Sequence, residues 1–461
     1  MRRALPLCLL LTACPQPVRT LGPDAGGDSL DGGANAPDSG ALENPLPDGG
    51  QQDAGIEACP GSPFCLTLTP SKDRVNVGEE AQVTARLSNP EGRPLRITLC
   101  DIEPRTERVP GRPALVLSDI TYSLVLDDVT GDLKFQVNDV PPFFLATTFH
   151  LDVCVTDVGD GGQELQVTVP IHVRGNIVFS AEYNGVFAVD SGGRPATGVS
   201  NTYPRGLLLD QTVTRPTGLR MSSDGTLLVY DDDNPARIHR VALDGIEHRL
   251  GTFQHLAADL GAAGTIYYDN LGVYQLWELS DGAVAIADTH TSNTPNPRIM
   301  VWNADGTFRR QVLNGDSNQH WYAMAATSED EWLVAMRDGL EGRVVRVDPN
   351  TGITQDPPFT DDYSRRLWAV EPWTDGRVVV AGENLITLIT NSNGVRLVTD
   401  LPSISATWVA ATSFDGKLVV ANQHQGEDQN LALISEGGRF ERWLRIGSGP
   451  VVAPYGVAYL R

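Results

Sequence analysis

The chain has 461 residues, a formal net charge of −23 and a hydrophobic fraction of 41%. This length predicts two or three domains, and the apolar fraction is sufficient for well-packed cores. The strong acidity argues against nucleic acid as a partner and against electrostatic attachment to anionic lipid.

The first 13 residues predict an export signal. In MRRALPLCLLLTAC two arginines precede an apolar run that is too short to span a bilayer. The ending LTAC resembles the lipobox of bacterial lipoproteins. That resemblance implies removal of residues 1–13 and lipidation of Cys14. Because no Asp follows the cysteine, it also implies anchoring in the outer membrane, facing either the periplasm or the cell surface. An ordinary signal peptide with an incidental Cys14 is the alternative.

Residues 14–57 predict a disordered tether. The stretch is rich in Gly, Asp, Pro and Ala and has almost no large apolar residue, so it cannot bury enough surface to offset its ordering entropy. A coil of about 40 residues reaches roughly 35 Å, which suits a spacer between membrane and folded domains. Its Asp-Gly pairs lack the regular spacing of calcium loops. No cofactor is predicted, and a structural Ca²⁺ is the minor alternative.

Four cysteines remain after the lipidation site, and an even number in an exported chain indicates two disulfides. They are Cys59, Cys65, Cys100 and Cys154. Of the three connectivities, closeness in sequence favours Cys59–Cys65, and positions in two predicted strands favour Cys100–Cys154. A zinc site is the rival interpretation, and it is disfavoured because there is no C-x₂-C pair.

Residues 58–173 predict a β-sandwich of about seven strands. Runs such as AQVTARLSN and TTFHLDVCVTD alternate apolar and polar residues and are separated by turn residues. The segments VNVGEEAQVTARLSNPEGRPLRITL and FHLDVCVTDVGDGGQELQVTVPIHV resemble bacterial immunoglobulin-like and cadherin-like modules. That resemblance implies a spacer or adhesion domain. Asp157 and Asp160 are interpreted as a plain turn, with a cadherin-like calcium loop as the alternative.

Residues 174–461 contain a repeat. RPTGLRMSSDGTLLVYD, GVYQLWELSDGAVAIAD and RLWAVEPWTDGRVVVAG each give an apolar strand, a polar turn and a second apolar strand. Two further strands follow in each unit. Four strands in every 40–57 residues are typical of a β-propeller. The unit P-x-G-[VL]-x₄-DG-x-[LV]-x-V-x-[DN] resembles NHL-type repeats and the six-bladed propeller superfamily.

The two ends of the repeat region complement each other. GNIVFSAEYNGVFAVDSGG, near Asn176, matches a second and third strand without a first, and PYGVAYLR at the C-terminus matches a first strand. We therefore predict that the C-terminal strand completes this blade and closes a six-bladed ring. A ring of seven blades is the alternative, in which the segment AAGTIYYDN at 262–270 is part of a further blade.

No catalytic residue is predicted, because the sequence lacks G-x-S-x-G, H-E-x-x-H, P-loop and G-x-G-x-x-G motifs. Six-bladed lactonases and gluconolactonases hold a divalent metal, and resemblance to them implies Asn or Asp ligands immediately before the Gly of the first strand. The residues aligned at that position here are Thr217, Tyr274, Tyr322, Trp368, Trp408 and Tyr455. None offers the carboxylate or amide oxygen that a hard cation prefers, so no metal site is predicted.

The five aromatic residues at this position are the candidate ligand-binding residues. They would ring one mouth of the channel and stack on a sugar or an extended peptide; packing between blades is the alternative. The sequence thus predicts a lipid-anchored cell-envelope binding or scaffold protein that presents its propeller to an unknown protein or glycan. The alternatives are a propeller-type hydrolase, lactonase or lyase with a channel active site, and a structural envelope protein without a ligand.

Overall fold

In the computed structural model the described residues belong to one compact unit, residues 50–461. The residues that it describes are 56–57, 64–72, 74–101, 120–126, 130–138, 140, 144–159, 164–181, 185–194, 213, 215–231, 237–241, 253–256, 275–288, 298–313, 319–328, 331–338, 341–352, 354–355, 367–373, 378–382, 385–390, 393–396, 409–414, 416–422, 431–435, 437–444 and 454–460. The predicted signal, Cys14 and nearly all of the tether lie outside these ranges.

Every regular element in the described ranges is a β-strand. Within the same ranges no helix is long and apolar enough to cross a membrane. The all-β prediction is confirmed.

The first nine strands form two sheets. They are β1 (Ile56–Glu57), β2 (Cys65–Pro70), β3 (Arg74–Val75), β4 (Glu80–Ser88), β5 (Leu95–Asp101), β6 (Ile120–Leu126), β7 (Thr130–Val137), β8 (Thr147–Asp157) and β9 (Glu164–Val173). One sheet has the order β1-β2-β4-β7-β6 and the other β3-β9-β8-β5. All pairs are antiparallel except β3 with β9. Both sheets contribute to one apolar core, in which Phe135 and Phe149 meet edge to face at 5.6 Å.

A disulfide joins Cys100 of β5 to Cys154 of β8, as predicted. The two strands are neighbours in one sheet, and Cys100 lies where the register shifts between Leu99 and Asp101. Cys65 is also disulfide-bonded, and its predicted partner Cys59 lies outside the described ranges.

The remaining strands of the described ranges form six successive antiparallel sheets, here called blades one to six. Blade one is β10 (Ile177–Ala181), β11 (Gly185–Val189) and β32 (Pro454–Tyr459), and blade two is β12 (Pro216–Met221), β13 (Leu227–Asp231), β14 (Arg237–Val241) and β15 (Phe253–Leu256). Blade three is β16 (Leu276–Glu278), β17 (Val284–Asp288), β18 (Arg298–Trp302) and β19 (Phe308–Leu313), and blade four is β20 (Gln319–Ser328), β21 (Glu331–Asp338), β22 (Glu341–Val347) and β23 (Thr354–Gln355). Blade five is β24 (Leu367–Pro372), β25 (Val378–Gly382), β26 (Leu385–Thr390) and β27 (Asn393–Arg396), and blade six is β28 (Val409–Phe414), β29 (Lys417–Asn422), β30 (Leu431–Ile434) and β31 (Phe440–Leu444).

Five consecutive four-stranded meanders, with a three-stranded sheet built from both ends of the repeat region, are the architecture of a β-propeller. The second strand of a blade is covered on both faces, which explains why all five residues of β13 (LLVYD) and of β25 (VVVAG) are buried. Apolar clusters join blades one and two, two and three, three to five, and five and six. A further cluster joins blades six and one.

The innermost strands follow one another in a cycle. Contacts run from β12 to β16, β20, β24, β28 and β32, and from β32 back to β12. The C-terminal strand β32 pairs antiparallel with β10, from Ile177 opposite Tyr459 to Ser180 opposite Gly456. The first and last strands of the repeat region therefore belong to one sheet.

Candidate functional site

The position that the repeat alignment singles out is a β-bulge. In blades two, four, five and one, the register of the innermost strand skips one residue, and that residue is Thr217, Tyr322, Trp368 and Tyr455 respectively. A bulge bends its strand and re-aims a side chain. The four positions are thus structurally equivalent. Tyr274 and Trp408, the other two aligned residues, lie outside the described ranges.

The glycine that follows the bulge in β32 permits a close approach between two innermost strands. A Cβ on Gly456 would lie 2.3 Å from the carbonyl oxygen of Thr217 and 2.9 Å from the nitrogen of Leu219. Ser180 bridges the same place, because its hydroxyl donates to the Thr217 carbonyl at 2.6 Å and accepts from the Gly456 amide at 2.9 Å. The P-x-G element of the repeat therefore serves strand-to-strand packing here.

The structure brings two of the candidate aromatics together. The rings of Tyr322 and Trp368 meet edge to face with their centroids 4.8 Å apart, and the ring of His320 stacks on Tyr322 with a centroid distance of 6.3 Å. Tyr322 and Trp368 are only 3% and 1% exposed, so most of their surface is used in packing between blades four and five. Tyr455 is partly buried and retains accessible surface.

An amide bridge links two non-adjacent blades. The Gln275 side chain, immediately before β16 of blade three, donates to the Val370 carbonyl at 2.6 Å and accepts from the Val370 amide at 3.1 Å. Val370 belongs to β24, an innermost strand that pairs only with β25 within its sheet. A buried side chain thus satisfies backbone groups on the open edge of a strand two blades away.

An ion pair links two other non-adjacent blades. Arg220 of β12 lies 3.3 Å from Glu371 of β24, and their side chains are 19% and 5% exposed. The Arg220 guanidinium also lies 3.4 Å above the ring of Trp277 in β16, within the range of a cation–π contact. Blades two, three and five therefore meet through these three side chains.

This cluster was not predicted from the sequence, although the repeat contains its signal. Arg220, Trp277 and Glu371 each lie three residues after the aligned bulge position, whereas the corresponding residues of blades four, six and one are Ala325, Ala411 and Ala458. Large or charged residues in three units and alanine in the other three indicate that the long side chains fill space left by the small ones.

A second polar cluster joins blades two and three. Arg240 donates to Ser222 at 2.7 Å and to Asp224 at 2.8 Å, and Glu278 accepts from Ser222. Burial alone would raise the pKa of Asp224, but hydrogen bonds from Thr226 and the charge of Arg240 outweigh it and lower the pKa below its ordinary value. This cluster is a structural connection between blades.

The last residue of β13, Asp231, takes part in a buried His–Asp contact. Asp231 accepts from the Arg215 amide at 2.7 Å and lies 3.5 Å from His239. Both side chains are nearly inaccessible, at 2% for Asp231 and 0% for His239. A substrate does not reach a pair buried to this degree, so the contact is structural.

Within the described ranges no group of three or more His, Cys, Asp or Glu residues could hold a metal ion. In the sandwich, Asp157 accepts from the Gly159 amide at 2.9 Å and from Arg93 at 3.2 Å. Its oxygens therefore stabilise the turn, and Asp160 lies outside the described ranges.

No family model and no curated protein matches the chain. Among solved structures the chain is similar to a virginiamycin B lyase from Staphylococcus aureus (12% identity, 71% of this chain and 96% of that one, TM-score 0.32). It is also similar to the Dos1 propeller (11% identity, 86% of this chain and 84% of that one, TM-score 0.33). A third similar structure is a Mycobacterium tuberculosis puromycin-hydrolyzing peptidase (14% identity, 71% of this chain and 53% of that one, TM-score 0.40). Likenesses this low carry no argument about activity, so the propeller assignment rests on the sheet topology above.

Proposed function

We propose that the chain is a lipid-anchored cell-envelope protein whose propeller is a non-catalytic scaffold or binding module for a protein or glycan. The observation that carries this proposal is the pair of bridges between non-adjacent blades, Gln275 to Val370 and Arg220 to Glu371. General acid–base catalysis and metal binding both need groups directed at a substrate or ion. Among the described residues, Arg220 and Glu371 instead bind each other, and Gln275 binds the Val370 backbone.

The propeller is proposed to have six blades closed by β32, and the N-terminal domain to be immunoglobulin-like. The pairing of β10 with β32, the cycle of innermost strands and the apolar cluster between blades six and one support the closure. The two-sheet core supports the sandwich class. One departure is that Cys100–Cys154 joins neighbouring strands of one sheet, whereas the antibody-domain disulfide joins two sheets.

Tyr455 is the residue proposed to contact the ligand. It occupies the bulge position and, unlike Tyr322 and Trp368, is only partly buried. A tyrosine combines rigid apolar area with a polar tip, which suits stacking on a sugar or a peptide. Tyr322 and Trp368 instead pack against each other.

A retention assay tests the proposal. We expect the full-length protein to bind saturably to purified cell-wall glycan or to an envelope protein fraction, and Tyr455→Ala to weaken that binding about tenfold. Phe308→Ala is the matched control, because Phe308 is an exposed ring on β19, the outer strand of blade three. Unchanged binding by Tyr455→Ala would reject the aromatic site. Lactone or ester turnover abolished by chelation would favour the hydrolase or lyase alternative instead.

A further inference from the structure

The sandwich and the propeller contact each other at the sheet where the two ends of the propeller chain meet. Three backbone segments form a closed triangle there: Asn176 donates to the Phe144 carbonyl at 2.9 Å, Leu460 donates to the Asn176 carbonyl at 2.9 Å, and Ala146 donates to the Leu460 carbonyl at 3.0 Å. Phe144 and Ala146 precede β8 of the sandwich, Asn176 precedes β10, and Leu460 follows β32. Each segment thus holds the other two.

The side chains around this triangle interlock the two cores. Phe144 is buried in the sandwich core, whereas its neighbour Leu145 is buried in the cluster of blades one and two beside Ala458 and Leu460. Successive residues of one extended segment point to opposite sides, so this segment contributes to both domains at once.

Gly175 is required by the geometry of the triangle. A Cβ at this position would lie 1.8 Å from the Leu460 carbonyl oxygen and 2.6 Å from the Ala146 nitrogen. Both are backbone atoms, which cannot move aside as a flexible side chain can. The Gly175 amide also lies 3.3 Å from the Tyr459 hydroxyl, so any larger residue would separate the C-terminal strand from the sandwich.

A second contact holds the other side of blade one. The turn after β11 enters the sandwich, where the Ser191 hydroxyl accepts from the Val77 amide at 2.9 Å and Arg194 donates to the Asn138 carbonyl at 2.9 Å. Arg442 of β31 in blade six donates to the Ser191 carbonyl at 3.1 Å. The sandwich therefore contacts blade one at both its inner and outer strands, and blade six packs on the same turn.

We infer that the sandwich is a clamp that keeps the C-terminal strand β32 paired with β10, so that the sandwich and blade one open as a single cooperative unit. A domain joined to its neighbour only by a linker moves independently. Here the Ala146 amide donates to the carbonyl of Leu460, the residue after β32, Leu145 is buried in the same cluster as Leu460, and the Phe144 carbonyl accepts from Asn176, which precedes β10. The clamp requires the observed pairing of β10 with β32 and is independent of the ligand proposed for Tyr455.

Hydrogen–deuterium exchange on the full-length protein tests the clamp. We expect Gly175→Ala to speed exchange about tenfold in peptides that cover 454–460, 177–181 and 144–146, with blades three to five unchanged. Gly437→Ala is the matched control, because the nearest atom to its added Cβ is a serine hydroxyl at 3.9 Å. Exchange in Gly175→Ala equal to that in Gly437→Ala would overturn the inference.

Ser191→Ala keeps the test valid if Gly175→Ala does not fold. It removes the hydroxyl that accepts from Val77 and leaves the backbone path open. We expect exchange about threefold faster in both 76–78 and 454–460, because loosening one contact of a clamp loosens the strand that it holds. Faster exchange confined to 76–78 would also overturn the inference, since it would mean that the sandwich does not hold the C-terminal strand.

Discussion

Arg220 and Glu371 are 151 residues apart in the chain, yet they form a nearly buried ion pair between blades two and five. Such a pair depends on its geometry, because each charge is costly to bury and the cost is offset only while the partner remains in place. Trp277 adds a favourable face for the guanidinium. The pair therefore acts as a brace between blades that share no sheet.

We expect Glu371→Gln to lower the free energy of unfolding by about 2 kcal/mol, measured by urea denaturation. The reason is that the substitution removes the carboxylate charge from Arg220 while it keeps the volume. Glu441→Gln is the control, because the Lys417–Glu441 pair is a partly exposed surface bridge and such pairs contribute less than about 1 kcal/mol. Equal losses in the two variants would contradict a bracing role for Glu371.

Asp224 makes the stability depend on pH in a defined direction. Its pKa is lowered in the folded protein from the ordinary value of 3.8, so the folded state favours the ionised carboxylate. The stabilisation is present above pH 3.8 and is lost as the pH falls below that value toward the folded pKa. Asp281, Asp305 and Asp348 lie in similar turns and have pKa values lowered in the same direction.

We therefore expect Asp224→Asn to be less stable than the unmodified protein at pH 7 and to lose less stability on acidification to about pH 3. Urea midpoints at the two pH values measure this difference. Asp132→Asn serves as the control, because Asp132 is exposed on the sandwich and hydrogen-bonds the Thr84 hydroxyl. If both variants lose as much stability on acidification as the unmodified protein does, the pH dependence assigned to Asp224 is wrong.

Strand β32 shows what one element contributes. It pairs with β10, approaches β12 through Gly456 and supplies Ala458 to the cluster of blades one and two, to which the following residue, Leu460, also belongs. Its removal would expose the edge of β10 and the apolar faces of blades one and six together. An open edge beside an exposed apolar face is unstable in water.

Deletion of residues 453–461 is accordingly expected to abolish the cooperative unfolding transition of the propeller, measured by calorimetry and near-ultraviolet circular dichroism. A loss limited to the last blade would leave most of the transition intact. A truncated protein with an unchanged melting temperature would refute the contribution assigned to β32.

At the scale of the whole molecule, the predicted attachment to the membrane depends on one N-terminal cysteine. The N-terminal resemblance to a lipobox predicts lipidation at Cys14. We expect Cys14→Ala to abolish incorporation of labelled fatty acid and to release the exported protein from the outer-membrane fraction. Cys8→Ala, which changes the other cysteine of the same segment, should leave both unchanged. Fatty-acid labelling that persists in Cys14→Ala would show that the anchor is elsewhere.

The strands, the repeat and the pairing of β10 with β32 could be predicted from the sequence, because each depends on local alternation and on the similarity of one unit to the next. The alignment also placed Thr217, Tyr322, Trp368 and Tyr455 at one equivalent position, and these are the bulge residues. What these side chains do was not predictable. The burial of Tyr322 and Trp368 depends on the distance between two blades, which local patterns do not contain.

The sequence by itself determined an all-β chain with a repeated four-stranded unit, because strand periodicity and turn chemistry are local properties. Only the tertiary structure decided which groups meet. The Arg220–Glu371 pair, the Gln275–Val370 bridge and the triangle of Phe144, Asn176 and Leu460 join residues that are remote in sequence. Contacts of this kind depend on how the sheets are arranged around one another, and a single sequence carries no direct record of that arrangement.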